Sequence, residues 1–258
     1  MLATMGKRAL GAFGATVGVL VVCGLLLGFV EGKSTELLYR LFGWGGVLFT
    51  GVAGTPIHEL GHYLMCKLFG IQVTEVALFR PVAGRADGIL GYVRYAYDPG
   101  SLWQRLGSFF VGIAPMVLGV AAILLLLRLL TPEVFRSSSD RLTGALGDRR
   151  GPPALLGAAC SGFFSGLFRL RGLGILRGVL CLYLVFSIST HMTLSPADLR
   201  GAAAGLAVVV GAVTTLLGIE VNAALKKTAV VIASFLGVGL AFALLSLLLS
   251  GAAYLLLG

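Results

Sequence analysis

Charged side chains are scarce in this chain of 258 residues. Asp, Glu, Lys and Arg together make up 12% of it, whereas 57% of the residues are hydrophobic. Soluble globular domains carry about 25% charged residues. The shortage of charge therefore argues against a soluble domain and predicts an integral membrane protein.

Cysteine and histidine are rare as well. The four cysteines form no Cys-x-x-Cys pair and lie in apolar stretches, at Cys23, Cys66, Cys160 and Cys181. We expect small buried side chains there, and neither a disulfide framework nor a zinc-thiolate site. The chain has three histidines, so a metal site with imidazole ligands has few candidates.

Negative charge is the scarcer sign, because 20 Lys and Arg residues stand against 11 Asp and Glu residues, for a formal net charge of +9. A basic protein can bind nucleic acid. In so apolar a chain, the basic residues are better explained as loop residues beside an anionic lipid leaflet. We therefore expect the lipid bilayer as a partner, and no nucleic acid.

Apolar runs recur along the chain, and a helix needs about 20 such residues to cross a bilayer. The candidate spans are residues 9–30, 43–69, 106–130, 172–190, 201–219 and 228–257. A further apolar stretch is short and is interpreted as a re-entrant helix, an interfacial helix or half of a broken span, at residues 154–168. The predicted fold class is an all-α polytopic membrane protein with about six transmembrane helices.

Two segments interrupt these spans. Residues 71–105 mix Val, Ile and Tyr with Arg and Asp and are punctuated by Gly and Pro, which predicts a re-entrant or β-hairpin-like segment between the second and third helices. Residues 131–153 are polar and are predicted to form a loop. The predicted division of the chain is an N-terminal helix with its connection (1–42), a membrane core (43–219) and a C-terminal helix (220–258).

Basic residues also predict the orientation. A Lys-Arg pair at residues 7–8 precedes the first span, and the positive-inside rule places it in the cytoplasm. Residues 70–105 then face the cytoplasm too, and so does the connection at 191–200 if residues 154–168 do not cross the membrane. The Arg-Arg pair at residues 149–150 falls on the outer side, against the rule.

The pattern His-Glu-Leu-Gly-His occupies residues 58–62, inside the second predicted span. On a helix His58 and His62 share one face, so both rings can reach one metal ion. Glu59 is close enough to take a proton from a water molecule that the metal activates. Chance seldom places three ionisable groups in an apolar span, where a charged form costs at least about 2.5 kcal/mol. The pattern therefore predicts a zinc site with Glu59 as the catalytic base.

Thr55 and Pro56 stand directly before this pattern. A proline at this point either kinks the helix or begins a new helix with Thr55 as its cap. It is interpreted equally well as a tolerated membrane proline and as a break that opens a wet pocket beside the histidines.

A catalytic zinc ion takes three protein ligands, so a third ligand must come from elsewhere. Asp198 stands at the start of the fifth span, and an ionisable group beside an apolar helix is a site hypothesis by default. The alternative is that Asp198 only caps that helix. His191 is the rival third ligand, or an auxiliary group that stabilises an oxyanion.

The chain resembles the site-2 protease family of intramembrane zinc metalloproteases, and within it a short, minimal bacterial branch. Three elements carry the resemblance, in the family's order: the His-Glu-Leu-Gly-His pattern at 58–62, Gly-Ile-Ala-Pro at 112–115 and Asp198. The resemblance covers about residues 43–201. Between the first two elements, the stretch with Gly91, Tyr92 and Val93 is similar to the edge strand with which family members hold an extended substrate.

The resemblance implies an intramembrane zinc endopeptidase that hydrolyses membrane proteins within or near the bilayer, with zinc on His58, His62 and Asp198. It implies a multi-pass protein of the bacterial inner membrane with its site towards the cytoplasm. The alternatives are a non-proteolytic zinc-binding membrane scaffold or maturation factor, and a membrane zinc hydrolase with a non-protein substrate. Expected partners are a membrane-protein substrate and the bilayer; a homo-oligomer or a regulatory membrane partner is left open.

Overall fold

The computed structural model of the protein describes residues 28–148, 152–192, 195, 198–202 and 205. The predicted first span and the two spans that follow residue 200 lie largely or wholly outside these residues, as does Cys23. The described part is mostly helical, as predicted. In chain order its elements are α1 (residues 28–42), α2 (Trp44–Leu68), β1 (Gln72–Ala77), α3 (Gly84–Asp87), β2 (Tyr92–Ala96), α4 (Leu102–Leu130), α5 (Pro132–Gly147), α6 (Pro152–Leu167), α7 (Leu173–Ser189) and a short helical segment at residues 198–202.

Helices α2, α4 and α7 lie where three of the spans are predicted. Within the described part of the chain, α4 is the helix that is both long and apolar enough to cross a membrane. Helix α2 has 25 residues but carries the polar residues of the histidine pattern, and α7 is apolar but has only 17 residues. One such helix is weak support for a membrane protein, so the described residues do not show the six predicted crossings.

Helices α2, α4 and α7 pack against one another and form the frame of the candidate site. Hydrogen bonds tie α7 to the first half of α2. The Tyr183 hydroxyl donates to the Phe49 carbonyl at 2.8 Å, and the Gly54 N–H donates to the Ser187 hydroxyl at 3.1 Å. The buried Ser187 hydroxyl also donates to the Thr50 carbonyl. These bonds hold the carboxyl end of α7 beside the histidine pattern.

Helix α2 is continuous through Pro56, so the alternative in which a new helix begins with Thr55 as its cap is wrong. The neighbours of α2 supply enough packing for the helix to tolerate the lost N–H. Thr55 is buried, and its hydroxyl has no hydrogen-bond partner among the described residues.

The segment at residues 71–105 contains the predicted β-hairpin. Strands β1 and β2 are antiparallel, with Val76 opposite Val93 and Ala77 opposite Tyr92. The connection between them includes α3, whose last residue, Asp87, accepts a hydrogen bond from the Ile89 N–H at 2.9 Å. This bond, together with the neighbouring Arg80 guanidinium, lowers the pKa of the Asp87 carboxyl. The hairpin packs against α2 through both strands.

The prediction of a loop at residues 131–153 is wrong, because most of the segment is helix α5. The helix begins at Pro132, where the missing N–H of proline costs no helical hydrogen bond. Val134 and Ala145 are buried on one side of it. Its many polar residues cover the other side, and composition alone does not distinguish such an amphipathic helix from a loop.

The short apolar stretch at 154–168 forms α6, which has 16 residues. It runs antiparallel to α5 at close range, since a Cβ atom on Gly162 would lie 2.5 Å from the Ser137 carbonyl oxygen. A helix of this length spans about 24 Å, less than the roughly 30 Å hydrocarbon core of a bilayer. The α5–α6 hairpin thus favours the interpretations in which this stretch does not cross the membrane alone.

Candidate metal centre

His58, His62 and Asp198 come together in the described structure. One ligand atom from each lies within 4.8 Å of the others, so the group could hold a metal ion. The two histidines lie one turn apart on α2, as their spacing predicts, and Asp198 comes from the helical segment at residues 198–202. His62 and Asp198 are buried, at 5% and 7% exposure. The structure thus brings together the three residues that the sequence predicts as metal ligands.

Main-chain carbonyls hold both imidazole rings. His58 Nδ1 lies 2.6 Å from the His191 carbonyl oxygen, and His62 Nδ1 lies 2.9 Å from the Val111 carbonyl oxygen. A carbonyl oxygen can only accept a hydrogen bond, so in each ring Nδ1 carries the proton and donates it. Each Nε2 atom is then left with a lone pair that points into the group.

The distances between the facing atoms test whether this group fits a metal ion. The two Nε2 atoms are 3.1 Å apart, His62 Nε2 lies 3.3 Å from Asp198 Oδ1, and His58 Nε2 lies 4.0 Å from Asp198 Oδ2. Ligands at about 2.0–2.1 Å from a tetrahedral metal are about 3.4 Å apart. Lone pairs at such short range repel one another unless a cation lies between them. The donor set and its spacing therefore fit a small divalent cation.

Asp198 makes two hydrogen bonds with Ser195, one through its carboxylate and one through its main chain. Its Oδ2 atom accepts a hydrogen bond from the Ser195 N–H at 2.8 Å, and the Ser195 hydroxyl accepts one from the Asp198 N–H at 3.1 Å. This reciprocal pair is a capping box, a pattern that Ser195-x-x-Asp198 already shows in the sequence. The cap engages Oδ2, while Oδ1 faces His62. The two interpretations of Asp198, as cap and as ligand, are therefore compatible.

The His191 ring does not join this group. Its Nδ1 atom lies 3.1 Å from the Ser187 carbonyl oxygen and 3.2 Å from the Thr190 hydroxyl. The structure therefore gives no support to His191 as the third ligand. What His191 contributes is its main-chain carbonyl, which holds His58.

Glu59 is buried beside the metal group, at 8% exposure. The hairpin closes one side of it, because a Cβ atom on Gly91 would lie 2.9 Å from Glu59 Cγ and 2.8 Å from Thr55 Cγ2. Only glycine fits between the hairpin and α2 at this point. The first residue of the predicted substrate-binding stretch therefore contacts the predicted catalytic base.

Tyr92 and Val93 follow Gly91 on β2, and among the described residues β2 pairs with β1 alone. The guanidinium groups of Arg80 and Arg94 lie 5.2 Å and 4.7 Å from the centroid of the Tyr92 ring. Its hydroxyl donates to the Glu75 carboxylate. The Tyr92 side chain thus lies on the exposed face of the hairpin with Glu75, Arg80 and Arg94. A ligand at the outer edge of β2 would therefore meet main-chain groups.

Tyr95, at the far end of β2, reaches the segment that carries Asp198. A Cβ atom on Gly201 would lie 3.2 Å from the Tyr95 hydroxyl oxygen. Burial raises the pKa of Tyr95 to about 12, so the hydroxyl stays protonated at neutral pH and remains a hydrogen-bond donor. The sequence places Tyr95 in the segment that predicts the hairpin, but nothing in the local pattern gives this residue a role at the metal site.

Protein-family models, curated proteins and solved structures were each compared with the chain, and none of them matches it. The chemistry of the site is therefore inferred from its donor atoms and surroundings alone. The resemblance to the site-2 protease family stays a prediction from the sequence.

Proposed function

We propose that this protein is an intramembrane zinc metalloprotease, similar to the site-2 protease family, that hydrolyses membrane proteins within or near the bilayer. The observation that carries the proposal is the group formed by half-buried His58 and buried His62 and Asp198, with buried Glu59 next to His58 on α2. The remaining support comes from the identity of the donor atoms, the adjacent strand β2 and the apolar helices around the site.

The donor atoms suit zinc better than calcium, magnesium, copper or nickel. Two imidazole nitrogens and one carboxylate oxygen are a usual donor set for catalytic zinc, which keeps a fourth position open. Calcium and magnesium prefer oxygen ligands and higher coordination numbers. Copper and nickel accept imidazole but favour square-planar or tetragonal arrangements.

The chain's own groups suit hydrolysis. Zinc, when bound, supplies Lewis-acid polarisation of a carbonyl group and a water molecule of lowered pKa. In this proposal the Glu59 carboxylate accepts the proton of the attacking water and delivers it to the leaving amine. Asp198 and the two histidines hold the ligand atoms, and the carbonyl bonds to Nδ1 keep each Nε2 turned inward.

Strand β2 favours a peptide as the substrate. A helical substrate must unwind before a carbonyl can be attacked, and its exposed backbone groups then need hydrogen-bond partners in an apolar setting. An extended peptide that pairs with the outer edge of β2 would find such partners. Because Gly91 contacts Glu59, a peptide on this edge would pass beside the catalytic base.

The membrane setting is part of the proposal. Helix α4 is long and apolar enough to cross a bilayer, and α2 and α7 pack against it. We place the site within a multi-pass protein of about six spans, in a cell membrane of the bacterial inner-membrane type. The positive-inside rule puts the hairpin and the site towards the cytoplasm.

The substitution Glu59→Gln tests the proposal. Purified full-length protein in detergent would be given a single-span membrane protein as substrate, with cleavage followed by gel and zinc content by mass spectrometry. We expect the variant to keep its zinc and to lose at least about 10²-fold in cleavage rate, because general-base catalysis contributes that much. A zinc-loaded Glu59→Gln variant that still cleaves would refute the mechanism.

The same variant separates the alternatives. A zinc-binding scaffold or maturation factor would keep its cellular function after Glu59→Gln, since no proton transfer is needed. A hydrolase for lipids would lose activity on vesicles of purified phospholipid, and the wild type would cleave no membrane protein.

A further inference from the structure

The two carbonyl oxygens that hold the imidazole rings lie in different helical settings, one inside α4 and one just past the end of α7. Within an α-helix the carbonyl of residue i accepts the N–H of residue i+4. The His191 carbonyl lies just beyond the end of α7 at Ser189, where carbonyls lack such a donor. The Val111 carbonyl, in contrast, lies well inside α4.

Pro115 explains why the Val111 carbonyl is open to His62. It is the fourth residue after Val111 and lies inside α4. Proline has no N–H, so the usual helical donor to the Val111 carbonyl is missing. Val111 has no exposed surface, and a buried carbonyl without a donor is costly. His62 Nδ1 fills that place at 2.9 Å.

The backbone of α2 comes unusually near to this part of α4. A Cβ atom on Gly61 would lie 3.1 Å from the Ala114 carbonyl carbon and from the Pro115 nitrogen. Glycine at 61 therefore allows the two helices to meet one residue before His62. This contact brings the His62 ring within hydrogen-bonding distance of a carbonyl that proline has left open.

We propose that Pro115 is a positioning residue for metal binding, which acts by withholding an N–H from the Val111 carbonyl. That carbonyl then holds His62 in the tautomer and orientation that turn Nε2 towards the metal. The inference rests on the metal site of the proposed function, and does not depend on the substrate. Outer partners of metal-binding histidines change metal affinity about 10–100-fold when they are lost.

The test is zinc affinity, measured on purified full-length protein by competition with a chromophoric chelator. Pro115→Ala restores an N–H that competes for the Val111 carbonyl. Because a carbonyl has two lone pairs, the His62 bond should weaken rather than vanish, and we expect zinc to bind about 10-fold more weakly. Pro132→Ala, at the first position of α5, is the matched control and should bind zinc as the wild type does.

A second replacement separates the missing N–H from the proline ring. The α-hydroxy analogue of alanine at position 115 forms an ester, which lacks the N–H as proline does but has no ring. We expect this variant to retain wild-type zinc affinity. If Pro115→Ala binds zinc as tightly as the wild type, or if the ester variant loses as much affinity as Pro115→Ala, the inference is wrong.

Nitrogen-15 NMR of labelled histidine tests the same idea without any variant. In the wild type loaded with Cd²⁺, His62 should carry its proton on Nδ1 and couple to the metal through Nε2. A His62 ring with its proton on Nε2 would overturn the inference even if Pro115→Ala did not fold. Neither measurement involves cleavage, so a protein that binds zinc but hydrolyses no peptide would refute the proposed function and leave this inference standing.

Discussion

The substitution Asp198→Asn separates the two roles that the structure gives this residue. Asparagine keeps an oxygen that can accept the Ser195 N–H, now 2.8 Å from Asp198 Oδ2, so the capping box survives. It removes the negative charge that faces His62 Nε2 at 3.3 Å. The variant should therefore fold normally and bind metal poorly.

The size of the effect follows from what is lost. Outer partners of metal ligands change affinity about 10–100-fold, and a direct anionic ligand should contribute more, so we expect zinc to bind at least about 100-fold more weakly. The complementary substitution is Ser195→Ala, which removes the hydroxyl that accepts the Asp198 N–H at 3.1 Å. Loss of such a cap costs about 1 kcal/mol of stability, while the charge beside His62 remains.

Two assays on the same two proteins complete the test. Chelator competition gives the zinc affinity, and thermal unfolding without metal gives the stability. Asp198→Asn should lower the zinc affinity, and Ser195→Ala should mainly lower the stability. Tight zinc binding by Asp198→Asn would refute the ligand role, and Asp198 would then be a helix cap alone.

Two further predictions concern the hairpin. Gly91→Ala places a methyl group 2.9 Å from Glu59 Cγ, so the cleavage rate should fall about 10-fold or more because the base is misplaced, while zinc affinity stays constant. The control is Gly157→Ala, where an added Cβ meets nothing within 4 Å. Equal cleavage rates in the two variants would contradict the contact between Gly91 and Glu59. The pKa of Asp87 should lie below its ordinary value of 3.8, because the Ile89 N–H and the Arg80 guanidinium favour the charged carboxylate. The charged carboxylate therefore stabilises the fold above pH 3.8, and this stabilisation is lost as the pH falls through the lowered pKa. Carbon-13 NMR of the carboxyl measures this, and a midpoint above 3.8 would be against it.

The sequence predicted those parts of the structure that depend on residue type and on spacing along the chain. Two histidines four residues apart in an apolar run predict one helical face, and α2 presents them so. The mixture of Val, Ile and Tyr with charged residues, punctuated by glycine and proline, predicts the hairpin, which β1 and β2 form. In the first case the signal is helical periodicity, and in the second it is residue type.

The sequence was less informative where burial depends on distant partners. Helix α5 was hidden because its polar face outweighs the buried Val134 and Ala145 in composition. The sequence has no signal for the His191 carbonyl, and Pro115 shows only that the Val111 carbonyl lacks its helical donor. The tertiary contacts of α2 with its neighbours determine that His58 and His62 bind these two carbonyls.

The use of carbonyls to hold the histidines also follows from the charge of the site. Glu59 and Asp198 are both buried, at 8% and 7% exposure, and together would carry two negative charges that a divalent cation neutralises. Metal-bound histidines are often held by a further carboxylate, but one such group for each ring would leave two uncompensated charges, which are costly to bury. The neutral carbonyls of Val111 and His191 orient the same rings without adding charge. In an apolar setting, carbonyls that a proline or a helix end leaves without a donor can thus orient metal-binding histidines, as carboxylates do in more polar sites.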